Sequence, residues 1–345
     1  MKVSIGTNIK EGPWGGGNLF AINLKNYLEK NGHTVIHNLK DEDIDLILIT
    51  EPRKTSESSA FTHVEVLNYL SYIKKDAMVV HRFNECDERK NTNYVNKYLL
   101  NANKVADYTV FVSEWLHNLY KNQGFSRKNS NVIYAGADKA IFNRSNFEYW
   151  NNSEPLKIVT HHWGANWNKG FEYYLLIDKY MEDEKWKNKI KFTYIGNVPK
   201  NIHFKNTKVL NPLSGLELSN EIKKNDLYLT GSINEPSGNH HIEGAQCGLP
   251  ILYINSGGIP EYCNGYGVMF NDKNDFEDKL NESIKNYDSI SIKVKDYPLS
   301  AELMSKDFLE LFEKLVENKE KYISERIITL NNSFFSRKLY SFKRK

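Results

Sequence analysis

The chain has 345 residues, 40% hydrophobic and 26% charged, which at roughly 150 residues per domain is enough for two domains with proper cores. No run approaches the roughly 20 apolar residues that cross a bilayer, which excludes a membrane-spanning helical protein. Its 46 basic residues nearly cancel 43 acidic ones, for a net charge of +3, which excludes a global field for gripping nucleic acid.

Apolar runs bounded by turn residues predict buried strands at Val3 to Gly6, Thr34 to His37, Ile44 to Thr50, Ala77 to Phe83, Tyr108 to Ser113 and Asn131 to Tyr134. Helix-period segments fall between them at Asn18 to Lys30, Val64 to Ile73, Tyr94 to Val105 and Ser113 to Lys121. The first of these stops at Asn31-Gly32, and the last starts on Ser113 as N-cap. The segment from Asn143 to Pro155 is polar with little apolar period, as expected of an interdomain linker.

The same rhythm then restarts. Strands are predicted at Leu156 to His161, Ile190 to Gly196, Lys208 to Leu210, Asp226 to Gly231, Ile251 to Ile254 and Gly267 to Phe270. Helices are predicted at Gly170 to Glu182, Leu216 to Lys223, Asn239 to Cys247 and Phe276 to Tyr287, with a long amphipathic helix over Met304 to Ser324. Alternating helices and near-continuous apolar strands mean an α/β protein of two doubly wound parallel sheets, which would face a central cleft. The expected division is residues 1–150, residues 151–300, and 301–345 as a helix packing across the junction plus a basic tail.

Cys86, Cys247 and Cys263 include no C-x-x-C pair, so neither a disulfide framework nor a thiolate zinc site is expected. The start, Met1 to Thr7, is an apolar strand running into a glycine-rich loop without the layout of a secretory leader, and the expected location is the cytosol. At the other end, Arg337, Lys338, Lys343, Arg344 and Lys345 alternate with Leu339, Tyr340 and Phe342; this is either a solvated tail or a peripheral contact with a membrane surface.

The stretch richest in chemistry is Glu235-Pro236-Ser237-Gly238-Asn239-His240-His241-Ile242-Glu243-Gly244, followed by Ala245-Gln246-Cys247-Gly248-Leu249-Pro250. A strand feeds a turn at Pro236 to Gly238 and a helix starts near Asn239, so its first backbone N–H groups form an anion site around Gly238, Asn239 and His240. Glu235 and Glu243 flank that site, where carboxylates can accept hydrogen bonds from vicinal hydroxyls. A metal reading of His240 with Glu243 lacks further ligands nearby, and adjacent histidines on a helix diverge.

Two carboxylates separated by seven residues, then Cys-Gly-Leu-Pro, a strand and Gly257-Gly258-Ile259-Pro260-Glu261, resemble the signature of retaining family 4 glycosyltransferases of the GT-B fold. Gly15-Gly16-Gly17, Gly32-His33 and Asn168-Lys169-Gly170-Phe171 fall in the order that resemblance requires. It implies a first domain for the acceptor and a second for a nucleotide-sugar donor. Glu235 would bind donor-sugar hydroxyls, Glu243 the ribose, and Lys169 the diphosphate, with Gly16 and Gly17 in a loop closing over the donor. It further implies a glycan or lipid-linked acceptor, no cofactor and no metal.

Three departures stand out. His161 to Asn168 contains no arginine where the family has one before Lys-Gly, so phosphate neutralisation would rest on Lys169 with help from a histidine or Asn168. Ser237, His240 and His241 replace apolar residues, which suggests a more polar donor pocket. The polar cluster closing the fourth strand offers His81, Arg82 or Asn84 as the family's sugar-pocket residue, with ion pairing of Arg82 and Arg89 to Glu85, Asp87 and Glu88 as the competing structural explanation. Trp163 and Trp167 could stack on a sugar or base, although core packing is the expected fate of at least one. The competing functions are a GT-B nucleotide-sugar epimerase and a nucleotide-sugar-binding protein without turnover. A dinucleotide dehydrogenase falls last: Phe20 stands where the third glycine of the fingerprint belongs, no acidic residue sits convincingly after the second strand, and no hydride-site set is visible.

Overall fold

The computed structural model describes residues 1–10, 12 and 15–330. Its described residues form two compact units, one of residues 1–10, 16–134 and 302–330, the other of 12, 15 and 135–301. The basic segment around Arg337 to Lys345 lies outside the described residues, as do Pro13 and Trp14 of the glycine-rich loop.

The first unit runs β1 (Lys2–Ile5), α1 (Gly16–Lys30), β2 (Thr34–Ile36), β3 (Leu46–Ile49), α2 (His63–Tyr72), β4 (Met78–Phe83), α3 (Asp87–Lys90), α4 (Val95–Ala102), β5 (Tyr108–Phe111), α5 (Glu114–Asn122) and β6 (Ser130–Val132). Its strands pair in parallel in the order β2-β1-β3-β4-β5-β6. All four residues of β3 are buried, and strand alternation sends Leu46 and Leu48 to one face of the sheet and Ile47 and Ile49 to the other. Phe20, Ala21, Leu24 and Leu28 give α1 the buried stripe that meets the first of these faces. Thr62 and Glu65 start α2 with a reciprocal capping box. Tyr94 to Val105 is not one helix, because α4 ends at Ala102 and a 3-10 turn continues over Asn103–Val105.

The second unit runs β7 (Leu156–His162), α6 (Phe171–Tyr180), β8 (Ile190–Gly196), β9 (Lys208–Leu210), α7 (Gly215–Ile222), β10 (Leu227–Thr230), α8 (Asn239–Gln246), β11 (Ile251–Ile254), α9 (Ile259–Cys263), β12 (Gly267–Phe270), α10 (Phe276–Lys285) and α11 (Tyr287–Val294). Its sheet is likewise parallel throughout, in the order β12-β11-β10-β7-β8-β9. The polar segment around residues 143–153 is part of this unit. A Cβ on Gly248 would meet Phe147 at 2.8 Å, and the Ser145 carbonyl accepts from Lys223 Nζ at 3.1 Å. Its composition reflects surface exposure, and its aromatic residues tie it down.

The C-terminal amphipathic stretch divides at Asn318 into α12 (Ala301–Glu317) and α13 (Lys319–Ser324). Met304, Phe308, Leu311, Phe312 and Leu315 of α12 join Val3, Ile5, Phe20 and Leu24 in the core of the first unit. Arg326, just beyond, donates to both oxygens of the buried Asp107 at 2.6 and 2.8 Å and to the Ala77 carbonyl at 2.6 Å. No helix among the described residues is long and apolar enough to cross a membrane.

Candidate functional site

In a parallel sheet every strand delivers its following loop to the same edge, so the turns after β7, β10 and β11 converge. They approach one another closely. A Cβ on Gly170 would lie 2.6 Å from the carbonyl carbon of Gly231, and one on Gly257 would lie 2.4 Å from the Glu235 carbonyl oxygen. Both glycines also hold positive φ, +102° and +64°, a conformation that costs other residues about 1–2 kcal/mol. Backbone bonds from Ile233 N–H to the Asn168 carbonyl (2.9 Å) and from Gly258 N–H to the Glu235 carbonyl (2.8 Å) lock the three turns together.

These turns bring Lys169 and Glu235 into contact, with Nζ to Oε2 at 3.2 Å and both side chains partly exposed. Gly238 precedes α8 with φ +81° and offers no side-chain cap, so the first-turn N–H groups of the helix stay available to an acceptor from outside. A cation, a carboxylate and an open helix start therefore share one corner of the second unit. That combination suits an anion flanked by hydroxyls.

Behind this corner the histidines turn inward. His161 Nε2 lies 2.7 Å from Glu243 Oε2 and its Nδ1 lies 2.9 Å from the Tyr228 hydroxyl. His162 Nε2 meets the Tyr174 hydroxyl at 2.6 Å, and His240 Nε2 meets Thr230 Oγ1 at 2.8 Å. The His162 and His240 rings pack with centroids 4.5 Å apart, and His241 packs edge-on to Tyr262 at 5.6 Å. Burial drives His240 well below the ordinary histidine range, helped by the neighbouring His162 and His241. Burial likewise pushes His241 down to about 3 against a weaker opposing pull from Glu235. Neither ring therefore supplies a cation, and the missing arginine is not replaced by His240 or His241. Among the described residues no group of three or more histidine, cysteine or carboxylate side chains is arranged to hold a metal ion.

Glu243 is itself buried, one turn into α8 and held by His161 rather than standing open beside the helix. Trp163 and Trp167 are both half exposed, so neither is a core residue. Sequence reasoning passed over Tyr228 and the pairing of His161 with Glu243. Strand alternation puts Tyr228 and Thr230 on one face of β10, but nothing in the sequence identifies the helix that covers that face.

In the first unit, Gly16 and Gly17 open α1 and are exposed. Asn18 behind them anchors the loop, accepting from the Lys10 N–H at 2.9 Å and donating to the Lys10 carbonyl at 2.8 Å. His81 is fully buried at the end of β4, its Nδ1 3.1 Å from Asn103 Oδ1, and burial pushes its pKa down to about 3. Arg82 faces the other side and lies 3.9 Å over the Phe20 ring, while Asn84 is partly exposed just beyond the strand. Ion pairs here also use residues the sequence reading left out: Arg53 bridges Glu51 and Glu85, and Lys90 joins Glu85 at 2.9 Å.

Two all-parallel six-stranded domains of this kind are the GT-B architecture, the fold of many sugar-transferring enzymes. Residues 179–295 match the family model described as Glycosyl transferases group 1, so the chain carries a glycosyltransferase domain of that group and is a glycosyltransferase. The match spans Glu235 and Glu243 and begins after Lys169. No curated protein matches the sequence.

Among solved structures, a glycosyltransferase from Rickettsia africae ESF-5 superposes with a TM-score of 0.64 at 15% identity, covering 92% of this chain and 99% of that one. Anabaena Alr3699/HepE in complex with UDP gives 0.66 at 13% identity, covering 91% and 100%. Sucrose-phosphate synthase from Thermosynechococcus elongatus gives 0.60 at 12%, covering 92% and 99%.

Proposed function

We propose that this glycosyltransferase moves a sugar, with retention of anomeric configuration, from a nucleotide-sugar donor held by its second unit to a glycan or lipid-linked acceptor. The observation that carries the reading is the corner where Lys169 and Glu235, 3.2 Å apart, meet the uncapped start of α8. A nucleotide sugar presents these groups with a diphosphate between two polyols, and each finds a complement. The helix N–H groups and Lys169 take the diphosphate, Glu235 orients the sugar hydroxyls, and Glu243 receives the ribose hydroxyls. Solved structures of the same fold were obtained with UDP or UDP-glucose, which supports a nucleotide-sugar donor without fixing its base here.

The reaction asks for charge stabilisation more than for a nucleophile on the protein. The bond from the anomeric carbon to the donor phosphate oxygen breaks as the acceptor oxygen bonds to the same face, and the acceptor's proton passes to the leaving phosphate oxygen. Lys169 and the helix dipole stabilise negative charge as it builds on that oxygen, and one such preorganised donor is worth about 3 kcal/mol. Synthesis of surface glycans at the cytoplasmic face of a membrane, with the basic tail as a peripheral contact, is the setting that suits a lipid-linked acceptor.

Calorimetry with UDP, GDP, ADP, CMP and NAD, without added metal, tests the reading. One nucleoside diphosphate is expected to bind, and Glu243→Ala to weaken it by about 1–3 kcal/mol, the cost of a lost charge-assisted hydrogen bond. Absence of binding by all five, or indifference to Glu243, refutes the assignment of the donor site.

A further inference from the structure

Glu243 does not stand alone: two residues behind it, His161 and Tyr228, form a directed chain of hydrogen bonds. The backbone N–H of His161 donates to the Tyr228 hydroxyl oxygen at 3.1 Å, the Tyr228 hydroxyl lies 2.9 Å from His161 Nδ1, and His161 Nε2 lies 2.7 Å from Glu243 Oε2. A carboxylate can only accept, so the proton of a neutral His161 ring sits on Nε2, leaving Nδ1 an acceptor. Tyr228 satisfies that acceptor with its own proton while its oxygen takes the backbone N–H. Full burial keeps the tyrosine protonated, raising its pKa well above the ordinary value. Every donor in the chain has an acceptor, and the direction runs from Tyr228 to Glu243.

The helix is shaped to admit this arrangement. A Cβ on Gly244, the residue after Glu243, would lie 2.4 Å from the Tyr228 ring, so only glycine lets the ring lie against α8 at the height where its hydroxyl reaches His161. The histidine engages one carboxylate oxygen, Oε2, and Oε1 makes no hydrogen bond among the described residues. A carboxylate with one oxygen pinned and the other open has its remaining lone pairs aimed in a fixed direction, which a freely rotating glutamate would lack.

We propose that His161, set in its tautomer by Tyr228, is a positioning residue that fixes Glu243 for the ribose hydroxyls of the donor nucleotide, and thereby sets the preference for ribose over deoxyribose. The inference rests on the reading of Glu243 as the ribose ligand. The chemistry selected is a vicinal diol beside a diphosphate, in which both hydroxyls can donate to one oriented carboxylate.

The test is calorimetric affinity for UDP, GDP and ADP, each paired with its 2′-deoxy counterpart, in the full-length wild type and four variants. The wild type is expected to prefer the ribonucleotide by about tenfold or more, the value of one good charge-assisted hydrogen bond. Glu243→Gln and His161→Phe should each bring that preference to within about threefold of unity. His161→Gln, whose amide can still donate to Glu243, should restore most of it, and Tyr228→Phe, which deletes one hydroxyl, should lower it.

A purely structural role for His161 would weaken ribo- and deoxynucleotides alike and leave their ratio intact; that result overturns the inference. If Glu243→Gln collapses the ratio while both His161→Phe and Tyr228→Phe keep it, the inference fails and the donor-site reading stands. If the wild type binds none of the diphosphates, or Glu243→Gln keeps the wild-type ratio, the donor-site reading falls and takes the inference with it.

Discussion

His241 offers a quantitative test of how the second unit holds its buried histidines. The side chain is fully buried, its Nε2 has no hydrogen-bond partner among the described residues, and its Nδ1 reaches only His240 at 3.5 Å. Burial lowers its pKa from 6.5 in the unfolded chain to about 3 in the folded one. Below pH 6.5 the unfolded chain therefore binds a proton that the native chain refuses, so the group is silent above that pH and destabilises progressively as pH falls. One such histidine costs about 1.36 kcal/mol per pH unit, or about 2 kcal/mol between pH 6.5 and 5. His240, driven down for the same reason, acts in the same direction. Replacing His241 with leucine removes a polar atom that has lost its water, so His241→Leu should lie within about 1.5 kcal/mol of wild type at pH 7.5. At pH 5 it should gain about 2 kcal/mol relative to its own difference at pH 7.5. Urea unfolding followed by tryptophan fluorescence at pH 7.5, 6.5, 5.8 and 5 reads the slope, because Trp150, Trp163, Trp167 and Trp186 all lie in the second unit. If His241→Leu follows the wild-type pH slope, His241 titrates in the native state as it does in water, and the argument from burial is wrong.

Two further outcomes follow from close approach and from buried charge. Gly257→Ala places a methyl 2.4 Å from the Glu235 carbonyl oxygen at φ +64°, so it should displace Glu235 and lower kcat by about ten- to a hundredfold; a folded variant with unchanged kcat would show that this turn does not hold Glu235 in place. Arg326→Ala removes the two hydrogen bonds that Arg326 gives the fully buried Asp107, whose carboxylate keeps only the Val79 N–H among the described residues, and leaves the Ala77 carbonyl without that donor, at a cost of about 3–5 kcal/mol; a loss under about 1 kcal/mol in urea unfolding would contradict it.

The strands were legible because their information is local. Four-residue apolar runs such as Leu46 to Ile49 can only be buried on both faces, and the helix between β1 and β2 carries its stripe and its stop in consecutive residues. The short helices α3, α9 and α11 escaped for the complementary reason. Asp87, whose carboxylate accepts the backbone N–H groups of Tyr94, Val95 and Asn96, organises its loop through residues seven to nine positions away, a span no periodicity reports. At the site, the residue types at Glu235, Lys169 and Glu243 and the helix start were visible as a motif, since one stretch of chain carries most of it. The pairing of His161 with Glu243 joins residues 82 positions apart across two strands and a helix, and the sequence holds no trace of it beyond the glycine at 244. That glycine is the instructive case. Read along the helix it is only a weak residue that lowers helix propensity; read against the sheet it is the space into which Tyr228 fits. A motif therefore gathers candidate groups from one stretch of chain, whereas the residues packed behind them are found only once packing has brought distant segments together.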